Sequence, residues 1–83
     1  MYFVYIIQSL EGRYYIGSSE NTERRLSQHN SKQFKGWTNR FSGWRLVYQE
    51  MFESRTDAII REREIKSWKG GRKFKSLLSS FGS

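Results

Sequence analysis

The chain has 83 residues, enough for one small domain (residues 1–83) with a single modest core. It contains no cysteine, which excludes a disulfide framework and a thiolate zinc site. A net charge of +7 favours a polyanionic partner, whereas the apolar start, MYFVYIIQSL, is too short to span a bilayer and lacks the layout of a signal peptide. A soluble cytoplasmic protein with no membrane partner is expected, with a monomer as the simplest state.

Residues 2–8 are rich in β-branched and aromatic types and read as a strand. SLEGR makes a turn around Gly12, and RYYIG at 13–17 reads as a second strand ended by Gly17, so the pair forms a hairpin. Ser19, Asn21 and Thr22 are candidate N-caps for a following helix of about three turns. Leu26 is its one clearly apolar residue, so that helix must lean on the sheet. Residues 31–44 show no periodicity and read as a loop with aromatic anchors. RLVYQEMF alternates as a third strand, and Ser54 with Asp57 opens a helix through Trp68. Gly70 and Gly71 break it. Phe74, Leu77, Leu78 and Phe81 then form an amphipathic stripe on a last helix. The order is ββαβαα, an α+β fold.

Several residues could carry chemistry. Arg25 and His29 lie four apart on one helix face, where they could meet a phosphate together or form an ordinary surface pair. Glu62 falls between Ala58 and Ile59 on one side and Ile65 on the other, in the middle of an apolar stripe. A carboxylate there is costly unless a cation binds it, and a lone carboxylate suits Mg²⁺. The competing helix phase centres the stripe on Ile60 and Trp68 and turns Glu64 inward. Phe34, Trp37, Phe41 and Trp44 alternate with Lys32, Lys35 and Arg40, a pattern that fits single-stranded bases. Completing the core is the plainer role for most of these aromatics. Tyr5 and Tyr15 are, by periodicity, half-buried strand residues.

Taken together, VYI at 4–6, YIG at 15–17, RRLSQH at 24–29 and DAIIREREIK at 57–66 resemble, in order and spacing, the motifs of the GIY-YIG nuclease superfamily. The resemblance covers nearly the whole chain. It is nearest to small stand-alone bacterial members, with the nuclease domain of the excision-repair subunit UvrC as a more distant relative. It implies a three-stranded antiparallel sheet flanked by helices. It also implies Mg²⁺- or Mn²⁺-dependent hydrolysis of DNA phosphodiesters in DNA repair or processing. By position, the motif tyrosines are Tyr5 and Tyr15, the helix arginine is Arg25, the position after it is His29, and the metal-binding glutamate is Glu62. Two departures stand out. Val4 replaces the glycine that opens the first motif, and KFK at 73–75 stands where some members carry an asparagine.

The mechanism so implied uses one phenol, Tyr5 by preference, as general base, with Tyr15 positioning water or phosphate. His29 orients or relays, Arg25 neutralises charge on the phosphate, and Glu62 holds the metal. Arg25 and the metal are expected to lower the phenol's pKa. Lys32, Lys35 and Arg40 are expected to contact flanking phosphates. The alternatives are a nucleic-acid-binding module with vestigial catalysis and a protein-interaction domain whose basic face is incidental.

Overall fold

The computed structural model describes residues 1–32 and 36–80, with Trp37 described by its backbone alone. Strand β1 (Tyr2–Gln8) is central, with β2 (Tyr14–Ser19) and β3 (Arg45–Phe52) antiparallel on either side. Both faces of β1 are covered, so Val4, Tyr5, Ile6 and Ile7 are all buried. Strand alternation divides them. Val4 and Ile6 join Tyr48, Ala58, Ile65 and Phe74 in one cluster. Tyr5 and Ile7 join Trp44 in another, with Tyr15, Leu26, Phe41 and Leu46 packed against it.

Two strand details differ from expectation. β2 continues past Gly17, because Ser18 and Ser19 pair with Val4 and Phe3. Gly17 is not among the glycines with left-handed backbone, so nothing there stops an extended run. In β3 the register shifts: Ile6 faces Tyr48 while Ile7 faces Leu46, which leaves Val47 as the extra residue of a β-bulge.

Helix α1 (Thr22–Asn30) is capped by Asn21, whose side chain accepts the Arg24 N–H at 3.0 Å. It packs on β1 and β2 through Leu26 and a buried His29. Helix α2 (Arg55–Ser67) starts at Ser54, whose hydroxyl accepts the Asp57 N–H at 3.2 Å. It crosses all three strands and buries Ala58 and Ile65. Lys69, Gly70 and Gly71 then take positive φ in succession and turn the chain into α3 (Gly71–Ser80), which packs beside β3 through Phe74. Phe81, at the end of the expected stripe, lies outside the described residues.

The segment after α1 holds a short 3-10 turn, Trp37–Arg40. Asn30 pins its far end: its Oδ1 accepts the Trp44 N–H at 2.7 Å, and its Nδ2 donates to the Trp44 carbonyl at 2.9 Å. Trp44 is buried and its indole N–H donates to the Thr38 carbonyl at 3.3 Å. Trp44 and Phe41 therefore complete the core instead of facing solvent, which is the plainer of their two roles. Phe34 lies outside the described residues. No helix among the described residues is long and apolar enough to cross a membrane.

Candidate active site

Tyr5 stands opposite Gly17 in the β1–β2 ladder. A Cβ on Gly17 would lie 2.7 Å from the Tyr5 hydroxyl, 2.8 Å from its Cζ and 3.0 Å from Cε2 of Tyr15. The glycine is needed there for room, since any side chain would displace the phenol that lies across it. Tyr15 follows from β2, its ring centroid 6.2 Å from that of Tyr5 and 4.6 Å from His29. His29 arrives from the last turn of α1. Its Nε2 and the Tyr5 hydroxyl form a long, buried hydrogen bond of 3.4 Å, whose direction follows the histidine tautomer.

Burial decides the proton affinities of this pair. It pushes the Tyr5 phenol well above its ordinary value; the neighbouring Tyr15 adds to the rise, Arg25 opposes it, and Glu62 adds to it. The expected lowering by Arg25 is therefore present but outweighed, because removing a phenolate from water costs more than one guanidinium restores. Burial, and then Arg25, lower the pKa of His29. Near neutral pH the phenol keeps its proton and the imidazole is uncharged.

Glu62 comes from α2. Its side chain is 17% exposed against 54% for Glu64, and Ile60 is 60% exposed. The helix phase thus turns Glu62 inward and Glu64 to solvent. Lys66 donates to Glu62 Oε2 at 2.6 Å, while Oε1 has no donor among the described residues. No group of three or more His, Cys, Asp or Glu side chains converges among the described residues. One hard oxygen donor does not make a cage. It does match Mg²⁺, which keeps several waters and takes a phosphate oxygen from its substrate.

The structure thus brings Tyr5, Tyr15 and His29 into contact, with Arg25 of α1 and Glu62 of α2 near enough to act on the charge of Tyr5. Of the three loop cations it does less. Lys32 has positive φ, donates its ammonium to the Asn39 carbonyl at 2.8 Å and acts on Glu11, so it ties the loop together. Arg40 is exposed. Lys35 lies outside the described residues.

Other basic residues gather instead at the outer edge of β2. Arg24, Arg25 and Gln28 from α1, Arg55 from α2 and Ser18 from β2 line a groove of about 660 Å³. Arg24 and Gln28 share a helix face by their spacing of four, a signal visible in sequence. Arg55 joins them only because α2 packs where it does. The chain also builds a polar cluster between α2 and β3: Tyr48 donates to Glu50 at 2.7 Å, and Arg61 bridges Glu50 and Glu64 at 3.2 and 2.6 Å.

Residues 1–75 match the family model described as the GIY-YIG catalytic domain. A UPF0213 protein of Staphylococcus saprophyticus is 35% identical over 76 residues, covering 92% of this chain and 93% of that protein. A UPF0213 protein of Staphylococcus aureus (strain Mu3) is similar to the same degree. The solution NMR structure of the UPF0213 protein from Bacillus halodurans is 31% identical, with a TM-score of 0.62 over 100% of this chain and 88% of that one. The family match over residues 1–75, the curated relatives and the solved fold agree, and the chain belongs to the GIY-YIG catalytic domain family.

Proposed function

We propose that the chain is a metal-dependent endonuclease that hydrolyses DNA phosphodiesters. One observation carries the reading: His29 from α1 is hydrogen-bonded to the hydroxyl of Tyr5 beside the ring of Tyr15, with Arg25 and Glu62 near enough to act on its charge. A surface built only for packing has no use for four polar groups around a phenol in the sheet.

In this reading a water approaches the phosphorus beside Tyr5. Its oxygen forms the new P–O bond while the bond to the leaving nucleoside oxygen breaks. The water's proton passes to the Tyr5 oxygen as the Tyr5 proton moves to Nε2 of His29, so no free phenolate forms and the imidazole ends charged. The two shifts keep the phenol protonated and the imidazole neutral, which is the state from which such a relay starts. Tyr15 orients the water or the phosphate. Arg25 neutralises charge that builds on the non-bridging oxygens. A Mg²⁺ or Mn²⁺ ion held by Glu62 would supply positive charge to the leaving oxygen when bound. Lys32 and Arg40 serve as outlying phosphate contacts.

The test is plasmid nicking with Mg²⁺ or Mn²⁺, run beside a DNA-binding titration in EDTA. Nicking with metal and none in EDTA is expected. Glu62→Gln should abolish metal-dependent nicking and leave affinity in EDTA nearly unchanged. Loss of activity in Glu64→Gln but not Glu62→Gln would sink the assignment of the metal-binding carboxylate. A second reading, a nucleic-acid-binding module with vestigial catalysis, is favoured by the Lys66 ammonium already seated on Glu62. Salt-dependent binding without nicking would select it.

A further inference from the structure

The geometry points to a second nucleic-acid contact: the groove at the outer edge of β2 seats the backbone phosphates next to the reacting one, held chiefly by Arg24 and Arg55 with Gln28 as a neutral donor. This deepens the nuclease reading and rests on it for the path of the strand.

Three features support it. The first is charge. Three arginines line the groove against one carboxylate, Glu20, which is engaged by the Tyr2 hydroxyl at 2.7 Å. Arg24 and Arg55 are exposed, and among the described residues neither forms an ion pair with a carboxylate. A guanidinium without a protein partner presents its full fork of donors to a phosphate.

The second is continuity. Arg25 lines the groove and also acts on both Tyr5 and His29. The groove and the phenol site therefore share a wall, and a chain of phosphates can pass from one to the other.

The third is placement at helix ends. Arg55 is the first residue of α2, and Arg24 lies in the first turn of α1. The partial positive charge of both helix N-termini adds to that of the side chains. At about 660 Å³ the groove also exceeds what one small anion fills, as a continuous strand requires and a lone phosphate does not.

The experiment measures affinity against salt for a short random-sequence DNA duplex, in EDTA so that nothing is cut. The proteins compared are wild type, the double variant Arg24→Gln/Arg55→Gln, and the loop variant Lys32→Gln/Arg40→Gln. Each lost phosphate contact should flatten the log–log slope by about 0.9, so the groove variant should lose about 1.8. The loop variant should lose less. The groove changes are on exposed side chains, and thermal melting of that variant should match wild type. An unchanged slope in the groove variant overturns the proposal, and wild-type nicking in the same preparation would leave the nuclease reading standing. A flattened slope in a protein that never nicks supports the groove and removes the enzyme.

Discussion

Val4 and Ile6 on one side of β1 and Tyr5 on the other are all buried, yet their surroundings differ in kind. Beyond Val4 and Ile6 lie Ala58, Ile65 and Phe74, which need nothing from their neighbours except contact. Beyond Tyr5 lie a second phenol, an imidazole and an indole. On the first face, burial yields stability through the removal of apolar surface from water. On the second, the same exclusion of water raises one proton affinity and lowers another. A small domain can thus use one central strand for both purposes, because neighbouring residues point in opposite directions.

The sharpest way to break this comparison is to trim each face in turn. Tyr5→Phe keeps the ring and removes the hydroxyl. Single-turnover cleavage should fall about 10²–10⁴-fold, while stability in urea changes by no more than about 1 kcal/mol. Ile6→Ala should do the reverse, costing about 2–5 kcal/mol of stability with the folded fraction still cutting at the wild-type rate. Wild-type cleavage by Tyr5→Phe would mean that both faces are packing alone.

A smaller effect is expected at the strand that flanks Tyr5. Gly17→Ala puts a methyl where the phenol lies, and should cost about 1–3 kcal/mol by overpacking. It should also slow cleavage, since the phenol must shift from its place beside His29. Unfolding and nicking measured on one preparation would separate the two consequences. Stability loss with undiminished cleavage would show that the position of the phenol is not critical.

The smallest effect concerns pH. The folded protein resists protonation of His29, whereas the unfolded chain takes up that proton near the ordinary value of 6.5. The unfolded state therefore binds more protons as pH drops below 6.5, and stability falls with it until the folded histidine also titrates. His29→Gln should flatten that limb of the stability curve. Cleavage should follow the same sense, being kept near neutral pH and lost in acid as the acceptor nitrogen becomes protonated. A stability curve of the same shape in the variant would show that other groups set the acid limb.

Much of the fold was legible because local rules and tertiary packing agree. Asn21 and Ser54 cap as their chemistry suggests, and the inward phase of Glu62 follows from Ala58 and Ile65 on either side of it. β2 was read short because Gly17 looks like a stop in isolation; its real constraint, the phenol across it, belongs to another strand. The rise in the Tyr5 pKa was not legible either, because neighbouring charges can be guessed from motifs while depth of burial cannot. Arg55 and the Tyr48–Glu50–Arg61 cluster depend on where α2 crosses the sheet, which no spacing along the chain encodes. Lys32 looked like a free cation because its partner, the Asn39 carbonyl, is a backbone group that any sequence would offer.

The extra residue at Val47 has a consequence for how molecules of this protein coexist at high concentration. β3 is an outer strand of a three-stranded sheet, with a large apolar side chain, Met51, exposed along it. A regular outer strand of that kind offers its unpaired donors and acceptors to any passing chain. The register shift between Ile6 and Ile7 interrupts the row, so an incoming straight strand would match on one side of Val47 and fall out of step on the other. The irregularity thus acts as a guard against growth of the sheet from one molecule into the next.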